Sequence, residues 1–443
     1  MIALRKVEIM ARLEQSPKLE QSFFEKLVKN PSLFARLQTL ALSERDYQPW
    51  RYVKYHSPSD VDARDLWRAL VFVRNLRPVA KLDNGYGRPF ALAHPEALKR
   101  RVDNVYRVLS FSIETDLPFR GLNEDRRRMY LQRSLTEEAI SSSQLEGAVT
   151  TRRVAREMLL TKRTPRDDSE RMILNNFLTM ERLKEWKQQP LSLQLLKDIQ
   201  YQLTDGVLDD SKRGRFKVEE DRVVVVNGRT GDVIHQPPPC AGLEQRLQNL
   251  VDFANDDNED GDFYYPVEKA AILHFMIGYE HPFCDGNGRT ARALFYWYLL
   301  RKGWWLAEFL SISAMFRRPA WRKLYNDAYT DVETNDYDLT YFVLLQMDCL
   351  YAAAKEFHDY IDRVQKDSKS VDELLHGILN ERQLDLIRHA RRHPRYAYTA
   401  AEHAVWHNVS LNSARSDLDG LCMKGFLEMS KRGKTKIYSY KGK

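Results

Sequence analysis

The chain has 443 residues, of which 43% are hydrophobic, so it can build a sizeable core, and a disordered protein is excluded. It is too long for one ordinary domain. The formal net charge is +7, and residues 381–443 alone carry 13 Lys and Arg against six Asp and Glu, so the basic excess belongs to the C-terminal segment.

The cysteine pattern and the apolar runs indicate the compartment. The four cysteines are scattered and contain no CxxC pair, which argues against a disulfide framework or a zinc knuckle and fits a reducing cytosol. No apolar run approaches the ~20 residues of a membrane-spanning helix, and the N-terminus lacks the apolar stretch of a signal peptide. We therefore expect a cytoplasmic protein that does not contact membranes.

Helical periodicity dominates the first 360 residues and predicts a mainly α fold. Residues 1–94 are predicted to form a helical N-terminal region that ends in a turn-rich stretch, and residues 95–363 a second, larger helical domain. Within it, residues 215–239 combine a valine run with Asn227-Gly228, a pattern typical of a β-hairpin. The polar residues 364–373 are predicted to be a linker.

Residues 374–443 are predicted to form a winged helix, with three helices followed by a basic hairpin. Thr399 and Ser410 are suited to cap the second and third helices at their N-termini, and Gly425 is suited to end the third. The hairpin tip is expected at residues 432–434.

The most informative stretch is HPFCDGNGRTAR, residues 281–292, which precedes an apolar helix. Glycines on both sides of an asparagine let the backbone approach a ligand closely, and consecutive N–H groups that lead into a helix start form a phosphate nest. Arg289 and Arg292 are three residues apart and can grip one polyphosphate. Asp285 offers a hard oxygen to Mg²⁺, and His281 can accept a proton from an attacking hydroxyl. This combination indicates phosphoryl or nucleotidyl transfer.

This stretch resembles the signature of the Fic family, HxFx(D/E)GNGRxxR, at every defined position. The resemblance extends over about residues 100–358 and implies an all-helical Fic core that transfers AMP from ATP to a protein hydroxyl, with ATP as substrate and Mg²⁺ as cofactor. By position, it makes His281 the general base and Asp285 the metal ligand. The ATP-binding residues that it implies are Phe283, Asp285, Gly286, Asn287, Gly288, Arg289 and Arg292.

A second motif, SSSQLEG, occupies residues 141–147. Ser142 and Glu146 lie on one helix face, and Gly147 can end that helix; alone, the motif would be an ordinary helix end. Beside the signature it resembles the inhibitory helix of the family, (S/T)xxxE(G/N), here residues 135–147. The resemblance implies that Glu146 pairs with Arg292 and so keeps the γ-phosphate of ATP away from that guanidinium.

Three further assignments follow from the resemblance. The hairpin at residues 215–239 resembles the family's flap, whose edge can pair with an extended target segment, although a purely structural hairpin is an alternative. Tyr325 lies where the family often has an aromatic residue near adenine. Glu280, just before the proposed base, can orient the imidazole or face solvent, and we expect it to face solvent.

Alternative functions remain open from the sequence. The chain can be a self-inhibited adenylyltransferase that modifies the Ser, Thr or Tyr hydroxyl of another protein or of itself. It can instead be a DNA-binding regulator in which the winged helix contacts DNA, or another protein, and the Fic core senses nucleotide; Asp417 and Asp419 weaken this alternative because they lie on the predicted recognition helix. Relatives that transfer phosphate depart from the second glycine of the loop, so Gly288 favours AMP transfer. A homodimer is left open.

Overall fold

The computed structural model describes residues 14–109, 124–226, 231–256, 263–375, 378–432 and 435–442. Most of these residues are helical, and the few strands are short, so the predicted mainly α fold is confirmed. Among the described helices, none combines the length and the apolarity needed to span a bilayer.

The N-terminal region consists of four helices and a small hairpin. Its elements are α1 (Gln21–Lys29), α2 (Pro31–Leu42), α3 (Trp50–His56), α4 (Ala63–Arg74), β1 (Arg77–Asp83) and β2 (Pro89–Leu92). The antiparallel hairpin β1–β2 occupies the stretch predicted as turns only, because Asn84 accepts hydrogen bonds from the backbone of Tyr86 and Arg88 and closes a tight connection. Ala91 in β2 also exchanges backbone hydrogen bonds with Tyr337 and Leu339. This region therefore packs onto the larger domain, and one apolar core runs from Phe23 to Ile361.

The larger domain is built from helices around two central ones. Its elements are α5 (Glu96–Leu109), α6 (Glu124–Leu145), α7 (Arg152–Thr161), α8 (Asp168–Trp186), α9 (Leu193–Leu203), β3 (Val225–Val226), β4 (Val233–His235), α10 (Leu243–Asn255), α11 (Pro266–Glu280), α12 (Asn287–Arg301), α13 (Ile312–Phe316), α14 (Pro319–Thr334) and α15 (Thr340–Leu375). Helices α11 and α12 pack against each other and are buried on nearly all sides, as expected for helices that are apolar all round. The turn between them, residues 281–286, is thereby fixed between two buried helices.

Two predictions about this domain need correction. Residues 364–373, predicted as a linker, continue helix α15, which runs unbroken for 36 residues. The hairpin predicted at 215–239 is smaller than expected: only β3 and β4 pair, and Glu219–Asp221 is a 3₁₀ helix. Its predicted turn at Asn227-Gly228 lies outside the described residues. The valine run that suggested a long strand extends beyond the paired segment. Before it, the Asp221 carboxylate accepts hydrogen bonds from Arg215 and from the backbone of Val218, and these bonds favour a local turn over a strand.

The C-terminal region has its own apolar cluster, which contains Leu384, Leu418 and Tyr438. Its elements are α16 (Glu381–Arg392), β5 (Ala397–Tyr398), α17 (Ala400–Trp406), α18 (Leu411–Met423), β6 (Leu427–Arg432) and β7 (Thr435–Tyr440), with a sheet in the order β5–β7–β6. The predicted caps are present: Thr399 accepts from the backbone of Glu402, and Ser410 from that of Ser413.

This element order agrees with three helices and a hairpin, and the winged-helix assignment itself stays a prediction. The predicted tip at residues 432–434 lies partly outside the described residues. The objection that Asp417 would face DNA does not hold, because Asp417 is buried and accepts hydrogen bonds from Asn380 and Arg382. Asp419 accepts from the Tyr438 hydroxyl.

Helix α6 is fixed to the domain by the buried carboxylate of Glu138. Its Oε2 accepts from Tyr296 at 3.0 Å, from the Ser311 hydroxyl at 2.8 Å and from the Ser313 backbone at 3.1 Å, and its Oε1 accepts from the Ser313 hydroxyl. Burial raises the pKa of Glu138 despite these bonds. The carboxylate therefore joins α6 to α12 and to the start of α13.

We expect Glu138→Ala to lower the free energy of unfolding by about 2–4 kcal/mol, because each buried donor left without an acceptor costs about 1–3 kcal/mol and some donors find other partners. Urea unfolding measures this loss. Glu138→Gln keeps an acceptor oxygen and should therefore lose less free energy of unfolding than Glu138→Ala. The control Glu185→Ala, on the exposed face of α8, should change the free energy of unfolding by less than about 0.5 kcal/mol. A Glu138→Ala protein as stable as the Glu185→Ala control would contradict the anchoring role.

Candidate functional site

The site begins with His281, at the C-terminal end of α11. Its backbone adopts a left-handed conformation, with φ of 47°, and its N–H still donates to Ile277 O at 3.0 Å. The ring Nδ1 lies 3.1 Å from the carbonyl oxygen of Gly278. Because a carbonyl only accepts, Nδ1 must carry the proton, and the lone pair is then on Nε2. The fold thus selects the tautomer in which Nε2 can accept a proton.

The His281 imidazole is neutral at physiological pH. Burial lowers its pKa to about 4, and the positive charge of Lys217 acts in the same direction. Burial also lowers the pKa of Lys217 to about 8. Lys217 holds the end of α11, because its Nζ donates to Glu280 O at 2.8 Å and its backbone N–H donates to Pro282 O at 2.7 Å.

The turn from Pro282 to Gly286 is shaped by side chains as well as by glycine. Asn287 closes it on itself: Oδ1 accepts from Phe283 N at 2.9 Å, and Nδ2 donates to Phe283 O at 2.8 Å. Gln200 in α9 donates to Asp285 O at 3.0 Å, and Gly286 takes φ of 83° just before α12 begins. Phe283 is fully buried and packs against Phe216, with ring centroids 5.5 Å apart. The backbone N–H groups that start α12 are therefore held in a fixed position, which suits an anion.

Both arginines of the motif are buried, and each has a different set of partners. Arg289 donates to Leu203 O at 2.9 Å and to Asp285 Oδ2 at 3.0 Å. Arg292, in the second turn of α12, donates to the Ser142 hydroxyl at 2.8 Å, to Ser142 O at 3.0 Å and to Glu146 Oε1 at 2.8 Å. The structure thus brings SSSQLEG and the 281–292 motif together, although about 140 residues separate them in the sequence.

The Glu146 carboxylate lies directly over the start of α12. A side chain at Gly288 would overlap it, so only glycine permits this approach. Burial opposes ionisation of Glu146, but the charge and hydrogen bond of Arg292, with a further contribution from Arg289, lower the pKa of the carboxyl. Glu146 is therefore an anion that lies within the candidate anion nest. Gly147 follows with φ of 101° and ends the helical segment as predicted.

Asp285 projects from the turn, with its side chain 48% exposed. Among the described residues there is no group of three or more His, Cys, Asp and Glu side chains that could enclose a metal. Mg²⁺ is often held by only one or two carboxylates, with several waters and the phosphates of a substrate as its other ligands. A single accessible carboxylate such as Asp285 fits a site of that kind.

Tyr325 in α14 lies near Arg292 but is already engaged. Its ring stacks on Phe316, with centroids 4.4 Å apart, and its hydroxyl lies 2.9 Å from Nε2 of His274. Burial raises its pKa. A contact between Tyr325 and adenine stays a prediction.

The paired strands of the flap candidate are attached to the end of α11. In β4, Nε2 of His235 lies 2.7 Å from Tyr279 O, and its Nδ1 lies 2.9 Å from Glu333 Oε1. The pair β3–β4 therefore lies beside the turn that carries His281, and the flap assignment stays a prediction.

The expectation that Glu280 faces solvent is wrong. Glu280 is 1% exposed, and Arg246 in α10 donates to both of its oxygens, at 2.9 and 3.0 Å. Sequence analysis also missed Lys217, Gln200 and Arg246, which hold the turn but do not belong to either motif. Glu280 is a charged residue at the end of an otherwise apolar helix, and this pattern indicates a buried partner. The pattern does not indicate that the partner is Arg246.

Three comparisons place this geometry among known proteins. The model of the Fic/DOC family matches residues 190–299, which include the whole 281–292 motif. The protein adenylyltransferase Fic of Nematostella vectensis is 41% identical over 69 residues, 16% of each chain. The protein adenylyltransferase Fic of Drosophila willistoni is 34% identical over 99 residues, 22% of this chain and 18% of that one. The matches thus span less than a fifth of these curated relatives.

A solved structure extends the similarity of the fold beyond these segments. The Fic family protein from Desulfovibrio desulfuricans G20 superposes with a TM-score of 0.52 at 20% identity, covering 79% of this chain and 98% of that one. At this identity the similarity concerns the fold alone. Together with the family match over residues 190–299, these findings lead to one conclusion: residues 190–299 form a Fic domain within this chain.

Proposed function

We propose that this protein is a self-inhibited protein adenylyltransferase that transfers AMP from ATP to a Ser, Thr or Tyr hydroxyl of a protein, itself included. The Fic domain and the names of the relatives support the reaction class. The observation that carries the self-inhibition is the contact between Glu146 and Arg292, with the carboxylate lying over Gly288.

In this proposal His281 is the base. The oxygen of the target hydroxyl attacks the α-phosphorus of ATP, and the bond from that phosphorus to the oxygen bridging to the β-phosphate breaks. AMP is then esterified to the protein, and pyrophosphate leaves. The hydroxyl proton goes to Nε2 of His281, whose neutral state and tautomer suit this role.

The nest at the start of α12 binds the phosphates. The backbone of Gly286, Asn287 and Gly288 faces the α- and β-phosphates, Arg289 contacts the β-phosphate, and Arg292 contacts the γ-phosphate. Asp285 would hold Mg²⁺ together with the phosphates, and the ion would neutralise part of their charge. The start of α12 and Arg289 are therefore oriented before ATP binds.

Inhibition follows from competition for one guanidinium. The buried Arg292 already has an anionic partner, so the γ-phosphate must displace Glu146 to reach it. ATP that cannot make this contact binds with its α-phosphorus turned away from His281. Glu146 thus restrains Arg292, and release of Glu146 permits the productive pose.

The remaining assignments belong to the same proposal. Residues 135–147 form the inhibitory helix, and the segment 215–239 is the flap that holds an extended target segment. The chain is divided into the N-terminal region 1–94, the Fic domain 95–363 and a winged-helix domain at residues 374–443. The comparisons do not favour the alternative of a DNA-binding regulator.

Incubation of the protein with ATP and Mg²⁺ should add the mass of AMP to the target or to the chain itself, as measured by intact mass spectrometry. Removing a general base typically costs about 10²–10⁴-fold in rate, so His281→Ala should lose the adduct while still binding ATP, because the nest is intact. His56→Ala, at an exposed histidine outside residues 281–292, is the matched control and should react like wild type. An adduct formed by His281→Ala at the wild-type rate would remove His281 from the mechanism.

Replacement of Glu146 by Gly should raise AMP incorporation about tenfold to hundredfold, since a hydrogen bond to a charged group is worth about 1.5–3 kcal/mol. Glu146→Gln removes the charge but keeps the shape and should give an intermediate gain. The double variant Glu146→Gly with Arg292→Ala should lose the gain, because the freed guanidinium is absent. Labelled AMP incorporation is compared at one ATP and Mg²⁺ concentration; equal incorporation by wild type and Glu146→Gly would contradict self-inhibition but leave the transfer reaction standing.

The transfer rate of Glu146→Gly should stay independent of His281 protonation from pH 7 down to about pH 5. The folded pKa of His281 lies near 4, below the 6.5 of a free imidazole, so the base becomes protonated only as the pH falls toward 4. The Glu146→Gly substitution should not raise the pKa of His281, because it removes a negative charge that itself raises that pKa. Initial rates at saturating Mg²⁺ and ATP test this, and a His281-dependent half-loss of rate near pH 6.5 would contradict it.

A further inference from the structure

A second cavity, of about 340 Å³, lies where the Fic domain meets the C-terminal region. Its walls come from α6, α7 and α15 on one side and from α16 and α17 on the other. None of the residues 281–292 lines it, so it is distinct from the candidate nucleotide site. Its volume falls within the range of about 300–1,000 Å³ that is typical of small-molecule sites.

The charged lining of this cavity is strongly basic. Four arginines contribute to it, Arg133, Arg156, Arg388 and Arg392, against one acidic residue, Asp385. Asp385 lies 3.9 Å from Arg388 and 4.0 Å from Nε2 of His407, so it is shared between two basic groups.

Arg133 and Arg156 are short of negative partners. In the part of the chain that the structure describes, Arg133 makes no ion pair with a carboxylate; it donates to the Tyr360 hydroxyl at 2.5 Å and lies 4.5 Å above that ring. Arg156 lies 3.9 Å from Glu137, which binds Arg152 more closely. Burial and the charge of Arg133 lower the pKa of Arg156, so the two guanidinium groups repel each other. An anion between them would relieve this repulsion.

Another part of the lining is aromatic. Tyr396 and Trp406 lie with ring centroids 6.0 Å apart, and the ring of His389 lies 5.2 Å from Tyr396 and 5.1 Å from Trp406. Burial, together with the positive charges of neighbouring arginines such as Arg133, lowers the pKa of His389 to about 3, so it is a neutral ring at physiological pH. Aromatic faces of this kind accept the flat face of a nucleobase.

We propose that this cavity binds a nucleoside phosphate, with its phosphate between Arg133 and Arg156 and its base against Tyr396 and Trp406. A free phosphate would use only the arginines, and a nucleoside only the aromatic rings. A ligand that carries both groups uses the whole lining. The proposal does not depend on the transfer activity.

Isothermal titration of the full chain in EDTA with AMP, inorganic phosphate and adenosine separates these possibilities. AMP should bind at least about tenfold more tightly than either fragment, a difference of about 1.4 kcal/mol. The double variant Arg133→Gln with Arg156→Gln should weaken AMP binding at least about tenfold. The matched control is Arg153→Gln, an exposed arginine on the same helix as Arg156, and it should bind AMP like wild type.

Hydrogen–deuterium exchange locates the bound AMP and separates this cavity from the nest at the start of α12. In wild type and in Arg153→Gln, AMP should slow exchange in peptides that cover residues 385–396. This protection should disappear in the double variant. Thermal unfolding at the wild-type temperature serves as the control that the variants are folded. Protection limited to peptides that cover residues 281–292, equal AMP affinity in the double variant, or equal affinity for phosphate and AMP would each overturn the proposal.

Discussion

The buried guanidinium of Arg292 is the constraint on which the rest of the site depends. A charge removed from water is costly unless it is paired and hydrogen-bonded. Here the partners come from another part of the chain: the Ser142 hydroxyl, the Ser142 carbonyl and the Glu146 carboxylate satisfy Arg292 together. The protein itself therefore supplies the anion that Arg292 requires, and helix α6 must lie against α12 for this to happen. In the proposed function, the γ-phosphate of ATP would take that role.

The anchoring of α6 explains why the contact between Glu146 and Arg292 is firmly positioned. Glu138 and Ser142 are four residues apart on one face, and both contact elements at or after α12, so two successive turns of α6 are held. Glu146 lies just beyond the last helical residue, Leu145. In the proposed function, Glu146 would leave Arg292 while Glu138 and Ser142 keep their contacts.

Helix α6 also connects the two sites. Near its middle, Arg133 and Thr136 line the second cavity, and its C-terminal turn carries Ser142 to Arg292. The opposite wall of that cavity belongs to the C-terminal region, where α17 also packs on α7. A ligand there would thus contact the same helix that holds the guanidinium, and the long helix α15 runs between the two regions without the predicted break.

The sequence by itself determined the mainly α fold, because helical periodicity runs through most of the chain. It also predicted a phosphate nest at residues 281–292 from glycine spacing and residue type, and that assignment stays a prediction. It also named Glu146 and Arg292 as partners, but only through resemblance, since no local pattern links residues so far apart. Only the tertiary structure decided that Glu280 is buried against Arg246, that Asn287 closes the turn and that the Gly278 carbonyl fixes the His281 tautomer. These outcomes depend on which helices meet, and burial, which sets the pKa of His281, exists only after they do.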